Sequence, residues 1–196
     1  MVFWLLKIKR TIMKEKYKTV RLRWLAGLLD GLIFLPLGIL NTVIQQNAHL
    51  PVIAIILWQI FYIFSRPVYT ILMHGRYGQT VGKKAMGVVL LHIDETRSIN
   101  YREAVLRESP DLVILLAYSI LEINYLLGVS LTSAMTTIFI FLGSANTIWF
   151  LLEIITTLTN DKRRALHDFI AKSVVVRKDL MHLDALPEEL EVTQRA

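Results

Sequence analysis

Two long stretches of this 196-residue chain, 24–65 and 108–161, contain no lysine or arginine, and no cysteine occurs anywhere. The missing cysteine removes disulfides, thiolate zinc sites and cysteine nucleophiles together. The missing basic residues speak to topology, because lysine and arginine are retained on the cytoplasmic side of a membrane. All of them fall within 7–23, 66–107 and 162–195, and the breaks between apolar runs near 45–49 and 128–133 carry none. Charge is also scarce, at 19% against 54% apolar residues. A soluble domain of this length spreads its charge over every surface segment, so such segregation predicts burial in a bilayer. A net charge of +6 would suit nucleic acid, but positive-inside orientation demands the same bias. The expected partners are anionic lipid headgroups and not nucleic acid.

The apolar runs predict spans over about 24–44, 50–73, 111–128 and 132–158. The region 111–159 is too long for one helix at about 1.5 Å per residue, so it should fold back near Gly128-Val129-Ser130. The fold class is therefore an all-α membrane protein with four transmembrane helices, joined as two hairpins. Both termini and the 75–108 loop are expected in the cytoplasm, in a bacterial inner membrane. Residues 1–20 read as a basic cytoplasmic lead, 21–178 as the membrane domain, and 179–196 as an acidic tail. Residues 1–6 are apolar but too short to span. Lys7, Lys9 and Arg10 follow them, the reverse of a secretory signal, so no cleavage is expected. Phe3 and Trp4 suit headgroup depth, and Trp24, Tyr69 and Tyr118 fall near predicted interfaces.

The 75–108 loop carries local structure. Thr80 before Gly82-Lys83-Lys84-Ala85 reads as an N-cap and a short basic amphipathic helix. Val88-Val89-Leu90-Leu91-His92-Ile93 reads as a strand ended by the turn Asp94–Ser98, and Asn100 as the cap of a helix entering the third span. Ser173-Val174-Val175-Val176 is a second β-rich run. A lone strand leaves half its backbone groups unpaired, so the two runs should form a small cytoplasmic ribbon.

Four ionisable residues interrupt the spans: Asp30, Arg66, Glu122 and Glu153. A charge at a span centre costs about 2.5–3.5 kcal/mol on insertion scales, so each needs a partner or water. Asp30, Arg66 and Glu153 are each about 10–13 Å from a basic end of their span at helical rise. Two carboxylates and one guanidinium at one level would be nearly self-neutralising. Glu122 lies deeper and is expected to carry a proton, since burial disfavours a charge. One role for these four is an ion or proton pathway. The other is locking helices, with Arg66 answering carbonyls freed by Pro67 and Gly27 and Gly31 giving a small-residue face for close packing.

Other chemistry finds no pattern. Gly78–Lys84 has glycine spacing one short of a phosphate loop and no Ser or Thr after the lysine. The histidines at 49, 74, 92, 167 and 182 lack metal-ligand spacing, so neither a metal nor a cofactor is expected. No serine-hydrolase or zinc-protease motif occurs. The chain is read as not an enzyme; an intramembrane one would have to use Asp30 and Glu153 as acid and base.

Three motifs in order resemble the RDD family of membrane proteins: Arg23 with Asp30 seven residues on, Gly78-Gln79-Thr80-Val81-Gly82-Lys83, and Arg164-Ala165-Leu166-His167-Asp168 leading to Val174-Val175-Val176. The resemblance covers about 21–177. It makes Arg23, Asp30 and Asp168 the name-giving trio and gives Arg107 a matching place at the mouth of the third span. A clamp of Arg107, Arg164 and Asp168 at the membrane surface is expected. Arg23 and Asp30, two turns apart, should each meet another helix. Lys172-Ser173 stands where the family more often has glycine-threonine. Members of this family are proposed to move monovalent cations or to act as scaffolds. The leading expectation is a small monovalent-cation or proton transporter, working as a homo-oligomer. The alternative is a non-catalytic scaffold or assembly factor.

Overall fold

The computed structural model describes residues 4, 11, 14–47, 49–129 and 132–185, the last four by backbone alone. Phe3, Ser130 of the expected fold-back, and the tail from 186 onward lie outside the described residues. Among the described residues, six helices and two strands make the frame, in the order α1 (Val20–Gln45), α2 (Val52–Tyr77), α3 (Val81–Ala85), β1 (Val88–His92), α4 (Tyr101–Leu126), α5 (Ser133–Thr159), the one-turn α6 (Leu166–Ile170) and β2 (Ser173–Arg177). A 3-10 turn follows over Lys178–Ala185.

Three of the helices, α1, α2 and α5, are long and apolar enough to cross a membrane. Their apolar side chains point outward: Leu28, Leu32, Ile53, Leu57, Phe141 and Ile148 are all exposed. That is unfavourable in water and expected in lipid, where the hydrophobic effect does not drive helices together. α4 is as long, but its first half carries Arg102, Glu103, Arg107, Glu108 and Asp111. Its start is fixed by a capping box, in which Asn100 accepts from Glu103 N at 2.9 Å and Glu103 accepts from Asn100 N at 2.8 Å. Pro110 sits inside this helix without ending it.

Most of the buried apolar residues described lie in the cap; Ala26 of α1 and Ala104 of α4 are the long-helix members. β1 and β2 pair antiparallel with Leu90 opposite Val175. An isolated two-stranded ribbon is marginal, and this one is covered on both faces. Val88, Leu90 and Val175 pack with Ile99 and Ala104, against Leu22 of α1, Ile71 of α2 and Met86 at the end of α3. Val89, Leu91, Val174 and Val176 pack with Tyr17 and Met181. Each fully buried valine or leucine contributes about 1.5–3 kcal/mol. The N-terminal lead is tied to the same cap, because Glu95 receives Lys16 at 2.7 Å and Lys162 at 2.6 Å. Lys16 and Lys162, from the first and last basic stretches, thus meet at Glu95 inside the middle one.

The small-residue face expected at Gly27 and Gly31 is not packed, since a Cβ at either position would meet nothing within 4 Å. The close approach is made by Gly82 instead.

Candidate functional site

Asp30 comes from α1 and is 8% exposed. Its Oδ2 accepts from Thr80 Oγ1 at 2.6 Å, and its Oδ1 accepts from Tyr69 OH at 2.9 Å and Gly82 N at 2.8 Å. The first turn of any helix leaves N–H groups without intrahelical partners. Here each finds one: Val81 N donates to Tyr69 OH, Gly82 N to Asp30, and Lys83 N to Thr80 Oγ1. Thr80 is the N-cap the sequence predicts. Only glycine fits at 82, where a Cβ would stand 2.1 Å from the Ala26 carbonyl oxygen. The Gly78–Lys84 loop is therefore pressed onto α1, with Asp30 as its anchor.

A second anchor stands at Asp168, which is fully buried at the start of α6. Its Oδ2 accepts from Arg23 Nη2 at 2.9 Å and from Ala165 N at 3.0 Å; its Oδ1 accepts from Arg107 Nε at 3.0 Å and Ser173 Oγ at 3.2 Å. Burial alone would raise this carboxyl. The Arg23 and Arg107 charges and the Ala165 N–H outweigh burial and hold it well below the ordinary carboxylate range. Asp168 therefore joins α1, α4, α6 and β2. His167 extends the cluster, with Nε2 facing Arg107 Nη2 at 2.6 Å and Nδ1 bonded to Glu153 of α5. A guanidinium can only donate, so Nε2 accepts and Nδ1–H donates to Glu153.

Arg164 does not join this ion cluster. It donates to the backbone carbonyls of Ser173 at 2.8 Å and Asp168 at 2.9 Å, stapling α6 to β2. Nor do Asp30, Arg66 and Glu153 pair with one another. They line one cavity of about 880 Å³ between the long helices and the cap. Arg66 is exposed there and has no hydrogen-bond or ion-pair partner among the described residues. Glu122 lies elsewhere, with its Oε1 accepting from Gln59 at 2.8 Å and Gln45 at 3.4 Å.

The family profile that matches this sequence is that of the RDD family, over residues 17–172. The chain belongs to the RDD family. No curated protein and no solved structure matches it. In this RDD chain the arginine and the two aspartates are not one constellation. Arg23 meets Asp168, while Asp30 holds the Gly-Gln-Thr loop.

The sequence reading missed one buried pair. Lys83 is buried and reaches His74 Nε2 at 2.7 Å. Burial first, then repulsion from Arg107 and Arg23, pushes this lysine well below its ordinary value. His74 Nδ1 has no hydrogen-bond partner among the described residues, with Glu108 Oε1 4.0 Å away. No signal could have found this pair, because adjacent Lys83 and Lys84 look alike in the sequence although one is buried and the other exposed.

Proposed function

We propose that this RDD protein is a non-catalytic, four-span scaffold of the bacterial inner membrane that holds a folded cap on the cytoplasmic face. The observation that carries this reading is how the carboxylates are spent. Asp30, Glu153 and Asp168 each hold one element of the cap to a long helix. Parity supports the fourth crossing. α4 leaves the cap and α5 returns to it, because β1 and β2 are paired. The connection between them, 127–132, is too short to cross a bilayer again. If α5 spans, α4 spans with it. Exposed Arg21, Arg76, Lys84 and Arg102 suit contact with anionic headgroups, which favours the cap on the cytoplasmic side.

A second reading, a monovalent-cation or proton pathway working as an oligomer, is favoured by the cavity of about 880 Å³. Arg66, Glu108 and Asp111 line it, and the Gln45, Gln59 and Glu122 cluster stands further along the same helices. Reconstituted liposomes separate the two. The scaffold reading expects no sodium- or lithium-dependent proton flux above empty liposomes, and Asp30→Asn and Glu153→Gln to lower folded yield. Flux that Asp30→Asn abolishes in a chain of normal yield overturns it.

A further inference from the structure

A second cavity, of about 370 Å³, opens between α4 and α5 at the end away from the cap. Three aromatic rings, Tyr118, Tyr125 and Phe139, and Met135 form most of its wall, and Glu122 is its single carboxyl group. Tyr118 and Phe139 pack edge to face with centroids 5.4 Å apart, which leaves ring faces free for another group. Tyr125 and Phe139 are more than half exposed, so the cavity is open sideways toward the surrounding medium. Gln59 and Gln45 hold Oε1 of Glu122, while no described residue donates to Oε2.

An ionisable group inside an apolar span calls for a partner, and no lysine or arginine occurs in 108–161 to supply one. Aromatic faces carry negative potential and attract cations, most strongly when the cation is poorly hydrated. A small inorganic ion would keep its water in so greasy a wall. A quaternary or aromatic ammonium ion sheds water cheaply and fills the space.

We propose that Glu122, Tyr118, Tyr125 and Phe139 form a binding site for a lipophilic organic cation that enters from the membrane. The proposal is independent of the scaffold reading, because no residue of the site touches the cap.

The test uses the full chain in maltoside micelles, titrated calorimetrically with benzyltrimethylammonium. Saturable binding at one per chain is expected. Glu122→Gln should weaken it about tenfold or more, Glu122→Asp should largely keep it, and Phe139→Leu or Tyr118→Leu should each weaken it about fivefold to thirtyfold. Neopentylbenzene has the same shape with carbon in place of nitrogen. Equal competition by this neutral isostere overturns the proposal and makes the cavity an acyl-chain groove. Unchanged binding by Glu122→Gln overturns it as well. Should Glu122→Gln fail to fold, the isostere comparison and Phe139→Leu, an exposed position, still decide.

Discussion

Asp168 is the residue on which most of the cap depends, because two guanidiniums have no other carboxylate so close. Asp168→Asn would keep its shape, strip the part-buried Arg23 of its carboxylate and leave the buried Arg107 only Glu108, at 3.5 Å. Removing one partner of such a pair costs about 3–5 kcal/mol, so the variant is expected to unfold at markedly lower temperature in detergent. The carboxyl is held below its unfolded value, near 3.9, so its contribution is fully present above that value. It is lost as pH falls through the depressed folded value. Glu95 acts the same way: burial raises it, and bonds from Lys16, Lys162 and Tyr17 more than reverse that. Thermal midpoints should be level from about pH 7 to 5 and fall below about pH 4. In Asp168→Asn the low-pH fall should be shallower. An equal slope in the variant would show that the cap does not rest on this charge.

At the scale of elements, backbone geometry discriminates between glycines that look alike in the sequence. Gly82→Ala sets a methyl against the Ala26 carbonyl and should push α3 off α1, breaking the Asp30 bonds and sharply reducing folded yield. Gly27→Ala has open space and should be silent within about 0.5 kcal/mol. Lys172, just before β2, has φ of 49°, a conformation that costs a side-chain-bearing residue about 1–2 kcal/mol. The ribbon geometry is kept there despite the lysine. Lys172→Gly should therefore raise stability by up to about 1 kcal/mol, after the looser unfolded chain takes back part of the gain. These elements were legible unequally. Thr80 and Asn100 announced helix starts, because cap chemistry is local. The β-ribbon could be inferred because backbone groups must pair. Spacing alone could not choose Asp168's arginine, since Arg23 is 145 residues away; the family resemblance suggested Arg107, and both meet it. Depth along a helix placed Asp30, Arg66 and Glu153 around one cavity, but it did not reveal that a loop returns to occupy Asp30.

At the scale of the whole molecule, everything depends on whether the paired strands and the basic stretches share one side of a membrane. The absence of cysteine makes this unusually easy to test, because one substitution gives one reactive thiol. Arg97→Cys in the cap and Gln46→Cys beyond α1 are both exposed positions. A membrane-impermeant maleimide added outside intact cells should modify Gln46→Cys and Val129→Cys and leave Arg97→Cys unmodified until the membrane is opened. Val129 is the informative site, because it follows α4, the long helix that is too charged to count among the apolar spans. Labelling of Val129→Cys together with Arg97→Cys, and apart from Gln46→Cys, would mean that α4 and α5 enter and leave on the same face. The cap could then still fold, since its strands need only meet, but α5 would lie in the membrane as a re-entrant hairpin arm with α4. A scaffold with two crossings would remain, without the deep placement of Glu122 on which its site for an organic cation relies.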